Sequence, residues 1–472
     1  MRITNKIIQN NSLTNINTNK ALEDKLSTMI SSEKKISRPS DDPIIALRSL
    51  RLRTSVNQTT QYVEKNVEDA KSWLTVTEDA IDTLTDIITD VRAQYNKATS
   101  DQLQSGDRRI IIENLESLAA EIYNTGNVDF AGRSVFTGYR TESTLTFQKQ
   151  ADVNYTIEET EETASLDTIT FVHQGDTEND VYTEELQRIR LSYNSLTDTV
   201  PTVSVTQSGV TTNLTLTVKS SSSDPYTYAK ETDGAVVYIP ETGEIIFNEN
   251  AEIAENATYE ITYNKEQWKS GDLRPEHYFN CYDNTNGIQY SSHSGEIEYN
   301  VGVNQSLRIN TTPDECFSHS IVRDLQDVVN ALKEVEDIES KITEIETEIK
   351  GYDETQTVEI ADANKRLDAA EKARTFINDK LHTMLSETIS KAQGYLDANN
   401  VALTNCGTRS KRLELIENRL DTQLESLKEL KSENEDADIA ETAIQLSSAQ
   451  YAYDAALLAT SKIIKESLLN YV

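Results

Sequence analysis

The chain has 472 residues, 37% hydrophobic and 26% charged, with 15 Gly, 7 Pro and a net charge of -34. That length suggests about three domains of ~150 residues, and so few breakers favour long helices that bury only a narrow stripe. The charge makes free nucleic acid and anionic membranes poor partners for the chain as a whole. Cys281, Cys316 and Cys406 are few and far apart, with no CxxC and no HExxH, so neither a metal nor another cofactor is expected.

The N-terminal stretch MRITNKIIQNNSLTNINTN has no apolar core of a secretory signal. No apolar run approaches the ~20 residues of a membrane span. The default expectation is a soluble protein that stays in the cytoplasm unless a route reading another signal exports it. Residues 1–60 hold ten Lys and Arg against five Asp and Glu, so a basic start precedes an acidic remainder. Such a segment suits an acidic partner, including another copy of the chain.

Within this basic start lies KKISRPSDDPIIALR, Lys34 to Arg48. Arg38 precedes Pro39, which disfavours the α conformation and ends an incoming helix. Asp42 fits an N-cap and Pro43 the first helical position, so the stretch reads as a joint between helices rather than a reactive pocket. A heptad stripe follows through Val63, Val67, Ala70, Leu74, Ile81, Leu84, Ile88, Val91 and Tyr95, with Thr77 in one slot. Ile111, Leu115, Leu118 and Ile122 share the face of a second helix that Gly126 would stop.

From about residue 141 to 312 the composition changes. AVVYIPETGEIIF and ATYEITY alternate apolar with polar residues, and PETG reads as a hairpin turn. CYDNTNGIQYSS has the flavour of a calcium loop but lacks its carboxylate spacing and closing Glu, and so reads as a turn. From 313 the chain is helical again. Ile338, Ile342, Ile345 and Ile349 form one stripe. Leu413, Ile416, Leu420, Leu427 and Leu430, with Gln423, form another. Ile439, Ala443, Leu446, Tyr453, Leu457, Thr460 and Ile464 form the last. The acids of SENEDADIAET suit a helix start or solvated hinge better than a cation site. The expected architecture is mainly α, with long terminal helices (1–140 and 313–472) packing as a coiled-coil bundle and a central antiparallel β domain at 141–312.

Four segments resemble the flagellin superfamily, on the side of its hook–filament junction proteins. They are MRITNKII with ISRPSDDPIIALRSLRLR, then NVDFAGRSVFTGYRT at 127–141, EYNVGVNQSLRINTTPDECF at 298–317, and NEDADIAETAIQLSSAQYAYDAALLATSKIIKESLLNYV at the end. Filament flagellins carry an Ala-rich joint without the equivalents of Pro39 and Pro43. The stretch 335–375 is longer and more charged than the family pattern, and 142–297 has no match in it.

The resemblance implies a non-enzymatic structural subunit at the hook tip, whose terminal helices order on assembly. Its assembly face would comprise Ile3, Ile7, Leu22, Leu26, Leu446, Tyr453, Leu457, Ile464 and Leu468. Its partners would be further copies, hook-associated protein 1 on the hook side, flagellin on the filament side and an export chaperone on the C-terminal helix. It would be secreted through the flagellar type III channel to the hook–filament junction. The alternatives are a filament-forming flagellin, and, from another class, a soluble coiled-coil scaffold or adhesin with a β recognition domain. An enzyme housed in the middle domain would have to use His277 and Cys281, which more simply read as a surface histidine and a buried structural cysteine.

Overall fold

The computed structural model describes residues 5–469 apart from 101–102, 252, 254–255, 293–294 and 354, without the side chains of Asn5, Ser165 and 463–469. Ile3 lies outside the described residues, as do the side chains of Ile464 and Leu468. Nine helices are described: α1 (Asn5–Ser32), α2 (Pro43–Gln61), α3 (Glu68–Ala98), α4 (Ser105–Asn124), α5 (Pro225–Glu231), α6 (Pro313–Cys316), α7 (Ser320–Gly351), α8 (Thr357–Glu435) and α9 (Ile439–Leu469). The strands fall between α4 and α6, so the chain is mainly α with an inserted antiparallel β domain, as its composition predicts. Among the described residues no helix is long and apolar enough to cross a membrane.

The chain forms two compact units that do not follow the three compositional zones. One comprises Met1–Asp69, Asn300–Ser306 and Arg412–Val472, the other Ala70–Tyr299 and Leu307–Lys411. Helix α8 thus contributes residues to both.

In the larger unit α3 runs antiparallel to α8, with Arg92 Nη1 donating to Gln393 Oε1 at 2.7 Å and Cys406 Sγ to Leu74 O at 3.5 Å. Its buried stripe holds Ala70, Leu74, Thr77, Ile81, Leu84, Ile88, Val91 and Tyr95, widened by Trp73, Ala80 and Ile87. The extra positions reflect a helix covered on more than one side, where a two-position seam is too narrow. Helix α4 lies antiparallel to α7, burying Ile111, Leu115 and Ile122 and pairing Lys333 with Glu116 at 2.7 Å. Helices α7 and α8 form an antiparallel hairpin, with Glu334–Lys380 at 2.7 Å and Glu348–Arg366 at 2.8 Å. The charged stretch 335–375 is the distal part of that hairpin: Val335, Ile338, Ile342 and Ile345 are buried, and Glu336 and Glu339 pair with Arg109 and Arg108 of α4.

Two large sheets and a two-stranded one, 129–130 with 133–134, complete this unit. The five-stranded sheet has the order 167–173, 182–190, 244–247, 236–239, 217–218; the six-stranded sheet runs 288–290, 280–283, 151–162, 258–268, 202–207, 210–214. All eight residues of Val236–Ile239 and Glu244–Phe247 are buried, because both faces are covered. Val237, Ile239 and Ile246 pack with Leu186 and Ala229 of α5, while Phe247 meets Tyr259 of the other sheet edge to face at 6.3 Å. The PETG turn closes with Gly243 at φ +68°, its N–H donating to Ile239 O at 2.9 Å. A side chain at 243 would also strike Tyr193 O. The calcium-like stretch is likewise a turn. Asp283 Oδ1 accepts from the backbone N–H groups of Thr285 and Asn286, both at 2.9 Å.

Gly126 lies just past α4 in a short 3-10 turn, but its φ is not positive. The glycine serves close packing instead. A Cβ there would come within 2.3 Å of Leu145 Cδ2 and 3.3 Å of the Phe317 ring, and both neighbours are fully buried. Gly126→Ala is therefore expected to lower unfolding stability by about 1–3 kcal/mol through overpacking. Denaturant unfolding of the two proteins measures the difference.

Candidate functional site: the terminal helices and their joints

In the smaller unit the two ends of the chain lie side by side. Asn19 Nδ2 reaches Ala452 O and Gln450 Nε2 reaches Glu23 Oε1, each at 3.5 Å, so α1 and α9 run antiparallel. On α1 the covered positions are Ile8, Ser12, Ile16, Asn19, Glu23 and Leu26, of which Leu26 is fully buried. On α9 they are Thr442, Leu446, Ala449, Tyr453, Ala456 and Thr460, a repeat of four and three residues.

That register corrects part of the sequence reading. Leu446, Tyr453 and Thr460 are on the internal seam, but Ala443 and Leu457 are one position off it and exposed, while Ile439 keeps the register and is exposed at the start of α9. Small Ala449 and Ala456 occupy the seam, and a pattern weighted toward large side chains selects their neighbours. In α8 the seam beyond Leu420 likewise continues at buried Leu424 instead of Gln423, leaving Leu430 exposed.

The outcome is a two-helix layer with apolar side chains on its outer side. Ile7, Leu13 and Leu22 of α1 are exposed, as are Ile444, Tyr451, Leu457 and Leu458 of α9. Tyr451 is 78% and Leu457 41% exposed. Of the residues named for assembly, Leu26 is fully buried and Leu446 and Tyr453 half-buried, whereas Ile7, Leu22 and Leu457 face outward.

The joints at the inner ends of these helices hold each other. Glu33, at φ +58°, ends α1. Beyond it Lys34 pairs with Asp436 as an isolated antiparallel bridge, flanked by Lys35 N donating to Glu435 O at 2.8 Å and Ala437 N to Glu33 O at 2.9 Å. Side chains reinforce the backbone. The buried Glu435 carboxylate accepts from Arg53 Nε at 2.6 Å and Arg53 Nη2 at 2.8 Å, a bidentate geometry. Ser49 Oγ donates to the same carboxylate and Lys34 Nζ to Asp436. Asn434 Nδ2 donates to Ile45 O at 3.2 Å.

The joint itself is built from local hydrogen bonds. Asp42, at φ -153° and ψ 103°, caps α2, with Oδ1 accepting from Ile44 N at 2.9 Å and Ile45 N at 3.1 Å, and Pro43 stands at the first helical position. Pro39 sits in the turn where Asp41 Oδ2 accepts from Arg38 N at 2.9 Å and Ser37 N at 3.2 Å. Those hydrogen bonds, Arg38 first, hold the Asp41 carboxyl below the usual carboxylate range.

An acidic partner of the basic N-terminal segment is thus in the same chain: the elbow between α8 and α9. The acids of SENEDADIAET pointed to a hinge, but their pairing with Ser49 and Arg53, nearly 400 residues away in sequence, had no local signal. Between α2 and α3 a π-helical stretch, Tyr62–Val67, was equally silent; from it Asn66 Nδ2 donates to Asn300 O at 2.7 Å.

His277 and Cys281 do not form a reactive pair. His277 is fully buried, not a surface residue as its sequence context suggested. Its Nε2 lies 3.1 Å from Thr144 O, and burial pulls its pKa down to about 4. Cys281 is buried on strand 280–283, and burial pushes its thiol up to about 12, leaving no thiolate to act as nucleophile at neutral pH. Among the described residues no cluster of His, Cys, Asp and Glu is arranged to hold a metal.

With this geometry in place, the comparisons with known proteins show what the chain is similar to. Residues 3–141 match the bacterial flagellin N-terminal helical region, less than a third of the chain. The chain is also similar to flagellar hook-associated protein 3. It is 27% identical to that of Salmonella typhimurium over 144 residues, 30% of this chain and 45% of the relative. It is 26% identical to that of Escherichia coli over the same length. The resemblance read from the sequence is borne out, although the match spans less than half of either curated relative. A putative flagellar hook-associated protein of Vibrio parahaemolyticus aligns at 11% identity over 84% of this chain and 100% of its own, with a TM-score of 0.37. Hook-associated protein 3 of Legionella pneumophila aligns at 9% over 81% and 98%, with a TM-score of 0.32. Superposition at that level is too loose to carry an argument.

Two outcomes follow. The hydrogen bonds from Arg53 and Ser49 hold the Glu435 carboxyl below its ordinary value. A depressed acid contributes stability above its unfolded pKa of about 4.3, and that stability is lost as pH falls through the lower folded value. Glu435→Ala is expected to weaken the smaller unit by about 1–2 kcal/mol at pH 7, the solvated Arg53 limiting the loss. Hydrogen exchange over 33–43 and 432–438 reads this as faster opening, with the difference from wild type shrinking below pH 4. Second, Cys281 in the native chain resists iodoacetamide at pH 8 and reacts only after denaturation. Mass spectrometry of the 281 peptide measures both states.

Proposed function

We propose that this chain is a structural subunit of the bacterial flagellum, assembling at the tip of the hook and forming the junction between hook and filament. The observation that carries the reading is the terminal helix pair. Its inner seam is occupied by small and half-buried residues, while Ile7, Leu13, Leu22, Ile444, Tyr451, Leu457 and Leu458 stand outside it. A face of that kind gains stability when neighbouring copies bury it. The match of residues 3–141 to the flagellin N-terminal helical region supports the placement. Similarity to hook-associated protein 3 supports the junction over the filament, as does the joint with Pro39 and Pro43.

In this reading α1 and α9 enter a coiled-coil layer shared by several copies, with hook-associated protein 1 on one side and flagellin on the other. The subunit is exported through the flagellar channel, and a chaperone shields the apolar face of α9 before export. Its role is mechanical, with no reaction to catalyse. The buried, neutral His277 and the protonated Cys281 argue against the enzymatic alternative. A filament flagellin or a separate adhesin explains the helix pair equally well but not the junction-type joint.

Leu457→Asp separates folding from assembly, because Leu457 lies off the internal seam. The variant is expected to fold with wild-type far-UV circular dichroism, yet fail to restore filament attachment in cells lacking the wild-type gene, since a charge would be buried between copies. Normal filaments with that variant would remove α9's outer face from the assembly.

A further inference from the structure

The outer edge of a sheet is a row of unpaired backbone N–H and C=O groups that can pair with another strand, and charges, prolines, short strands or covering elements normally block it. Three of the four edges in the two large sheets are guarded in this way. Asp167 opens the edge strand 167–173, pairs with Arg188 and lies 3.9 Å from Lys391 of α8. The edges 217–218 and 288–290 are only two and three residues long. The fourth edge is strand 210–214, VTTNL, whose residues 210–213 are exposed, Val210 at 65%. From Thr199 to Val218 the sequence holds no charged residue, although 26% of the chain is charged. This edge has none of the usual guards.

Strand 210–214 is the second arm of a hairpin with strand 202–207. Ser208 and Gly209 turn at φ +52° and +82°, the two positive values of a type I′ turn. The register pairs Gln207 with Val210, Val205 with Thr212 and Val203 with Leu214. In a two-residue hairpin the closing pair exchanges hydrogen bonds, and the pattern alternates from there. Val210, Thr212 and Leu214 therefore turn their N–H and C=O groups toward strand 202–207. Thr211 and Asn213 turn theirs to the open side, where among the described residues no strand meets them. Side chains alternate as well. Val210, Thr212 and Leu214 share the sheet face of Val203 and Val205, which are buried, so the apolar face of the sheet runs past the core onto the edge. The opposite face is polar, with Thr211 Oγ1 2.9 Å from Thr206 Oγ1 and Asn213 Oδ1 accepting from Ser204 Oγ at 3.0 Å.

This strand is complementary to itself. Set antiparallel to the same strand of a second copy, with Thr212 on the two-fold axis, Thr211 of each copy faces Asn213 of the other. Every outward N–H then finds an outward C=O. On the core face Val210 meets Leu214 and Thr212 meets its own counterpart, in the closely spaced pairs where side chains approach best. Charge selects the same occupant. Elsewhere two copies of a chain of net charge -34 repel each other, and the uncharged hairpin is where they can approach. We propose that strand 210–214 is a self-association edge, joining the six-stranded sheets of two copies into one continuous sheet across a two-fold axis at Thr212. Such a contact is isologous and closes on itself. It goes beyond the assembly role of the terminal helices and stands independently of it.

The test uses the full-length Leu457→Asp chain, whose charged α9 face keeps association through the terminal helices out of the measurement. It is expected to sediment as monomer and dimer in equilibrium at about 0.1 mM, a weak affinity in keeping with a contact well under the standard ~1,600 Å². Amide exchange at Thr211 and Asn213 is expected to slow as concentration rises. Adding Thr212→Lys sets two like charges opposite each other on the axis and is expected to leave a monomer with unchanged Tm, the side chain being exposed. Register is read by cross-linking with copper phenanthroline as oxidant. Adding Thr212→Cys is expected to give a disulfide-linked dimer, its two Cα atoms about 4.5 Å apart. Adding Thr211→Cys instead leaves the two Cα atoms more than ~7 Å apart, too far to bridge. The three native cysteines are buried and take no part. A chain that stays monomeric to about 1 mM, a dimer untouched by Thr212→Lys, or cross-linking at 211 equal to that at 212 would each overturn the proposal.

Discussion

The clasp at Glu435 is the constraint on which the smaller unit depends. Two breaks between helices, one after α1 and one before α9, lie about 400 residues apart in sequence. Each exposes unpaired backbone groups where a helix ends. Here they satisfy each other through Lys35 N to Glu435 O and Ala437 N to Glu33 O, and one buried carboxylate draws Arg53, Ser49 and the Lys34 side of the joint to a single point. The paired breaks bring the C-terminal end of α1 beside the N-terminal end of α9, and from there the two helices run antiparallel. A strongly acidic chain with a basic start uses that asymmetry first within itself.

Most of the helical architecture was legible because periodicity reports which side of a helix is buried. Leu74, Ile81, Leu84 and Ile88 are buried as the heptad predicts. The joint was legible for a different reason. Pro39, Asp42 and Pro43 act on their own backbone, and local rules need no knowledge of the partner. Legibility failed where long-range packing decides. The α9 seam passes through Ala449 and Ala456, which carry little hydrophobic signal, so the apparent stripe slid to Ala443 and Leu457. Gly126 looked like a helix stop, but it answers to Leu145 and Phe317. The stretch 335–375 looked like an unexplained enlargement and is the far end of the α7–α8 hairpin. Glu435 was visible only as one acid among several.

The two units solve different problems. In the larger one, burial on both faces of Val236–Ile239 and Glu244–Phe247, with a dense set of arginine–carboxylate pairs between the sheet and α7, defines one arrangement. Such networks cost desolvation energy and return specificity only when every member is satisfied. In the smaller unit the apolar surface is narrow and turned outward, so a monomer gains little from ordering it. The proposed junction role accounts for that imbalance, since neighbouring copies supply the missing half of the layer.

The most direct measurement removes the gene from its source bacterium, images the cells by electron microscopy and assays the medium for flagellin. A junction subunit predicts bare hooks with flagellin monomer shed into the medium. Filaments still attached to the hooks would contradict the proposed role and return the terminal helix pair to a filament flagellin or a protein outside the flagellum.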